Sequence, residues 1–360
     1  MNALSRTQAP LQSAEVQRAI DQLLARLELI DAACGEGFPL YCRGLDQPWK
    51  VSAGGSWLGG FWAGLWWLRA YCRAADQDRQ QAEQISQRLA DKLDSDTHHR
   101  SLIFWYGAGL GACLLGSEPA AELARQASQR LAQAFNPLLG AIPLGRDMGG
   151  GEQGDQSLSI DPLAATLHLF AMDAEPRSLG LGRQQLHSSF RACAGPDGAW
   201  SSHGRFVQGQ WQAGDAPGNW SRGQAWAMLG LGVGAELYGA PFTADAQRAA
   251  AYWLRSRALA GPVNRLYEPQ GADDPCAAAM ASLALLGLAA TAADGEALRL
   301  QAEAQLAAII RGGDFQQGCF VGHCYRTAPA VEQKVETACG SFFLLAALLA
   351  WSGKIDPRWI

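Results

Sequence analysis

Apolar residues recur at helical spacing along almost the whole chain. The first series, Val16, Ile20, Leu23, Leu24, Leu27 and Ile30, falls at i, i+4, i+7, i+8, i+11 and i+14, which is one face of an α-helix. The same period predicts eleven further helices, over 58–75, 80–94, 101–115, 119–134, 161–171, 178–193, 221–237, 242–257, 276–290, 295–310 and 340–352. β-Branched residues are too sparse for a large sheet, so the chain reads as all-α.

The connections alternate in length. Those after the odd-numbered helices are mostly long (33–57, 135–160, 194–220, 258–275 and 311–339, with 95–100 shorter). Those after the even-numbered helices are tight: 76–79, 116–118, 172–177, 238–241 and 291–294. Tight links make antiparallel hairpins, and long ones then gather at one end. This rhythm predicts an (α/α)6 barrel of six inner and six outer helices, formed as one domain over 1–360. The even helices, rich in Gly, Ala and bulky aromatics, would form the inner ring. Their N-termini would face the long loops, where helix dipoles favour negative charge.

Composition sharpens the picture in a few places. With 48% hydrophobic and 18% charged residues, the chain can fill a large core. A net charge of −5 without a basic tract argues against nucleic acid as a partner. The nine cysteines form no C-x-x-C pair and read as reduced thiols of a cytoplasmic protein. No stretch reads as a signal peptide or a membrane span, so no membrane partner is expected. Thirteen tryptophans exceed what core filling asks for.

The candidate chemistry lies at the entrances of the even helices. In N-W-S-R-G-Q-A-W, Trp220, Arg222 and Trp226 surround the start of the eighth helix with indoles and one guanidinium. Such a fork suits a carboxylate held among aromatic faces, although an Arg stacked on Trp to join two helices is the plainer reading. Trp57 stands ahead of the second helix in G-S-W-L-G-G-F-W, where glycines leave indole faces open to a sugar ring. His99 and Arg100 crowd the fourth entrance, and His203 and Gln212 are the polar residues of the loop before Trp220. Asp161 precedes Pro162 at the sixth helix and Asp274 precedes Pro275 at the tenth. Each pair suits an N-cap with proline at N1, and at Asp274 capping is the expected role. A capping bond would hold Asp161 as the anion, whereas an apolar pocket would raise its pKa towards a general acid. His98, His99, His203 and His323 share no H-x-x-x-H spacing, so no metal and no organic cofactor is expected.

Several segments, in order through roughly 54–351, resemble glycoside hydrolase family 88, the unsaturated glucuronyl hydrolases, and behind them the unsaturated rhamnogalacturonyl hydrolases. They are G-S-W-L-G-G-F-W-A-G-L-W-W-L, N-P-x-x-G-A-I, S-I-D-P-L-A-A-T-L-H-L-F-A, N-W-S-R-G-Q-A-W and G-S-F-F-L-L-A-A-L-L. The resemblance implies an (α/α)6 barrel that removes a 4,5-unsaturated uronic acid from a small acidic oligosaccharide by hydrating its C4=C5 bond. It gives Asp161 the role of general acid and assigns Trp57, His203, Gln212, Trp220, Arg222 and Trp226 to the sugar. The family pattern H-D-x-G-F is broken here, since His99 is followed by Arg100 in place of a second aspartate. Arg100 is expected either to lower the pKa of Asp161 or to take a second acidic group of the substrate. Two other readings stay open: an acidic-sugar binder without turnover, and a sugar epimerase using His99, His203 and His323.

Overall fold

The computed structural model describes residues 9–173, 175–257 and 261–360. The helices are α1 (Ser13–Cys34), α2 (Trp57–Arg73), α3 (Asp76–Gln87), α4, α5 (Glu118–Ala134), α6 (Leu163–Met172), α7 (Pro176–Cys193), α8 (Ser221–Tyr238), α9 (Phe242–Ser256), α10 (Pro275–Ala289), α11 (Gly295–Arg311) and α12 (Ala338–Trp351). Helix α4 runs through Arg100–Phe104, a π-helical turn at Trp105–Gly109 and Leu110–Leu115.

Helices α2, α4, α6, α8, α10 and α12 each pack on the next, and α12 returns to α2, so the inner ring closes. Helices α3, α5, α7, α9 and α11 back onto it from outside, while α1 lies across α12 and α2. This is the (α/α)6 barrel that the loop rhythm predicts. The burial of the inner helices follows from their position: α12 is buried without interruption from Ala338 to Leu349, and α2 from Leu58 to Ala70. A helix surrounded by helices needs no polar face. Gly60 permits the tight α2–α4 crossing, because a Cβ there would lie 2.5 Å from the Ile103 Cα.

Among the described residues four small antiparallel sheets stiffen the long loops at one end, two of them the pairs β1 (Phe38–Tyr41) with β2 (Lys50–Ser52) and β6 (Phe315–Gln316) with β7 (Cys319–Phe320). One joins β3 (Ser157–Ser159), β4 (His203–Val207) and β5 (Gln210–Ala213), with Ser159 opposite His203 and Arg205 opposite Gln212. Another pairs β8 (His323–Ala328) with β9 (Val331–Val335). The β alternation around His203 is too poor to announce more than a short irregular hairpin, which β4 and β5 supply. The third strand comes from a distant loop, and that pairing has no local pattern to announce it. No helix among the described residues is long and apolar enough to cross a membrane. All nine cysteines are free thiols.

Candidate functional site

Asp161 stands just ahead of α6, in a turn where the Ile160 N–H donates to the Ser202 carbonyl and the Asp161 N–H to the Ser159 hydroxyl. The expected cap does not form: Pro162 occupies the N-cap position and no side chain caps the helix. Part of the residue meets solvent, but its Oδ1 is inaccessible and has no hydrogen-bond partner. Burial pushes the carboxyl up to about 7; the charge of Arg222 and the Ser159 hydroxyl oppose the rise, and Asp215 adds to it. The carboxyl therefore holds its proton close to neutrality.

Arg222 enters from the first turn of α8 and is buried. Its Nη1 donates to Asp274 and, at 3.2 Å, to the Cys324 carbonyl, which also accepts from Nη2 at 3.2 Å. The guanidinium lies 4.9 Å from the Trp220 ring centroid, and the Trp220 indole N–H donates to Asn264 at 3.0 Å. Burial works against the Arg222 charge, but Asp274 and the other anionic groups around it leave its pKa raised. Asp274 stands at the N-cap position expected for it, ahead of Pro275, and its side chain serves chiefly as a counter-ion: one oxygen takes the Arg222 guanidinium and Oδ1 accepts from the Cys324 N–H at 3.2 Å. Part of the fork that the sequence offered to a ligand is spent inside the protein.

His203 and Gln212 are exposed neighbours on β4 and β5. The Ser202 hydroxyl donates to Asp215 Oδ2 and sits 2.9 Å from His203 Nδ1, while the Ser202 N–H donates to Asp215 Oδ1 at 2.8 Å. Gly214 makes room for the imidazole, since a Cβ there would lie 2.1 Å from His203 Nε2. Asp215 thus orients the His203 ring through a serine and also acts electrostatically on Asp161. Its one sequence signal was an acidic residue between two small ones, three positions after Gln212.

Trp57 opens α2 and remains half-buried, its ring stacked on His99 with centroids 5.9 Å apart and facing His323 and Tyr325 at 6.5 Å. Burial pulls His99 down to about 4, so its imidazole is neutral at physiological pH. His98 and His323, buried more deeply, are pulled well below the ordinary value. Two expectations are corrected here. Trp226 is a core residue, buried between Phe61 and Phe343. Arg100 turns away from Asp161: its Nε donates to the Thr97 carbonyl at 3.2 Å and its Nη1 to the Leu93 carbonyl at 3.0 Å. The tryptophan excess is likewise mostly packing, with Trp62, Trp66, Trp67, Trp105, Trp200 and Trp253 buried.

No family model matches the chain. An unsaturated glucuronyl hydrolase of Bacillus sp. (strain GL1) is 23% identical over 353 residues, covering 90% of this chain and 93% of the relative. The crystal structure of the Bacillus sp. GL1 unsaturated glucuronyl hydrolase, responsible for the degradation of glycosaminoglycan, matches with a TM-score of 0.85 at 21% identity, over 96% of this chain and 98% of that one. The chain is a distant homologue of the unsaturated glucuronyl hydrolases and has their fold. A variant of the Streptococcus agalactiae unsaturated glucuronyl hydrolase, complexed with dGlcA-GalNAc6S, matches with a TM-score of 0.77 at 16% identity, over 97% and 94% of the two chains. Arg100, bonded to the Thr97 and Leu93 carbonyls, does not enter among the charges that act on Asp161.

Proposed function

We propose that this protein is a glycoside hydrolase acting on a small acidic saccharide that ends in a 4,5-unsaturated uronic acid, with Asp161 as the general acid. The observation that carries this reading is the buried, unpartnered Asp161 Oδ1 on a carboxyl whose pKa is about 7, next to Arg222. A general acid works best when its pKa lies near the operating pH. In the unsaturated ring, C5 carries the ring oxygen and the carboxylate. Protonation at C4 by Asp161 therefore leaves positive charge shared between C5 and that oxygen. Water adds to C5 and returns a proton to the Asp161 carboxylate. The resulting hemiketal opens and releases the remaining saccharide, so each cycle consumes one water and restores the acid.

The surroundings support the assignment. A substrate carboxylate near Asp161 is a like charge and raises its pKa further, keeping the acid protonated when substrate is bound. Inner-helix N-termini meet at this end and offset that negative charge together with Arg222. Trp57 and Trp220 supply half-buried ring faces, and β4 and β5 add His203, held by Ser202, and Gln212 as exposed polar groups. An epimerase would need imidazoles that exchange protons near neutrality, and burial depresses His99 and His323 out of that range.

The test is the ultraviolet absorbance of the conjugated C4=C5 bond in a panel of lyase-generated unsaturated disaccharides. Decay with at least one member is the expected result. Saturable binding of these sugars without decay of any would replace the hydrolase with a sugar-binding protein.

A further inference from the structure

Three buried side chains that the proposed hydration does not use meet next to Arg222. They are Cys276 in the first turn of α10, His323 at the start of β8 and Cys339 in the first turn of α12. All three are inaccessible, and the two sulfurs and one ring nitrogen lie within 4.8 Å of one another. His323 Nδ1 lies 2.7 Å from the Thr337 hydroxyl oxygen, whereas its Nε2 is buried without a hydrogen-bond partner. A buried polar atom left without a partner is costly, and native structures contain few of them. We propose that Cys276, His323 and Cys339 form a binding site for one thiophilic d10 cation, Zn²⁺ or Cu⁺, tying α10, β8 and α12 together at the floor of the loop end.

Donor chemistry and charge both fit. Thiolates with one imidazole select soft ions over Mg²⁺ or Ca²⁺. Zn–S distances of about 2.3 Å and Zn–N distances of about 2.0 Å put donors roughly 3.5–4 Å apart, so the trio closes around an ion by small side-chain movements. Binding deprotonates both thiols and releases two protons, and the imidazole coordinates through its unpartnered Nε2. Two thiolates balance Zn²⁺, and the single excess negative charge left with Cu⁺ faces the Arg222 guanidinium. Thr337 takes the part of the outer hydrogen bond that fixes a ligating histidine ring. This inference does not depend on the hydrolase reading, and its test involves no substrate.

Full-length protein, purified anaerobically under reductant and stripped with a chelator, is titrated with Zn²⁺ and separately with Cu⁺, with Co²⁺ as the spectroscopic stand-in for zinc. The expected result is one equivalent bound, a sulfur-to-cobalt charge-transfer band and two protons released per Zn²⁺. Binding should be lost in Cys276→Ser and Cys339→Ser but kept in Cys34→Ser and Cys113→Ser. Thr337→Val should weaken binding about 10–100-fold. X-ray absorption at the metal edge of the loaded wild type should show two sulfurs and a nitrogen, a readout that survives even if the serine variants fail to fold. No ion retained by wild type, equal uptake in the serine variants, or a Cys276–Cys339 disulfide in the anaerobic protein would overturn the site. Relative affinity for Zn²⁺ and Cu⁺ then identifies which ion it takes.

Discussion

The chain uses the dipeptide Asp-Pro at the entrances of two inner helices and gives the two carboxyls opposite fates. Asp274, ahead of α10, is fully buried but has the Arg222 guanidinium on one oxygen and the Cys324 N–H on the other. Asp161, ahead of α6, shares the same loop end and lies within the field of the same arginine, yet its Oδ1 is left without a partner and its pKa rises to about 7. Neither caps its helix through its side chain. The difference teaches that the local sequence offers a carboxylate, and that its neighbours across the barrel decide whether it is paired as a buried anion or left unpaired with a raised pKa.

The sharpest way to break that comparison is Asp161→Asn. Turnover of whichever unsaturated saccharide the wild type consumes should fall about 10²–10⁴-fold, the usual share of a general acid, while binding persists. Unchanged turnover would return Asp161 to a structural role. Asp274→Asn should act on stability, because it strands a buried guanidinium. Denaturant unfolding should show a loss of about 3–5 kcal/mol, and a near-neutral result would mean that the pair does not hold Arg222 in place.

A third measurement separates the two carboxyls by pH. The folded pKa of Asp161, about 7, lies above the roughly 3.9 of an unfolded chain. The folded state therefore holds this proton more tightly, and the stability it contributes is complete below about pH 4 and is lost as pH rises through 7. Asp161→Asn escapes that loss. Its unfolding midpoint should exceed that of the wild type at about pH 8, by at most roughly 4 kcal/mol in free energy, and match it in acid. A gap of the same size at every pH would mean that the carboxyl is not buried as a neutral acid. The smallest effect is expected from Arg100→Met, which keeps the stem and loses only the bonds to the Leu93 and Thr97 carbonyls. Stability should drop by about 1 kcal/mol with turnover within a few-fold of wild type. A collapse of turnover would place Arg100 back among the groups that act on the substrate.

The sequence by itself determined the helices, their pairing into a double ring and the end at which the long loops and the candidate side chains gather. Apolar period and loop length are local properties, and each was strong enough to survive folding. Even Asp161, Trp57, Trp220 and Arg222 could be singled out, since each sits within a few residues of an inner-helix start. Only the tertiary structure decided what these groups touch and how deeply they are buried. Trp226 and Trp220 lie six residues apart on one stretch, but the ring of inner helices swallows the first and leaves the second half-open. Arg100 and Arg222 both begin inner helices, yet one spends its donors on the backbone just before it and the other on Asp274, 52 positions along the chain. Burial, hydrogen-bond satisfaction and the pKa shifts that follow are set by groups distant in sequence, and no reading of local pattern contains them.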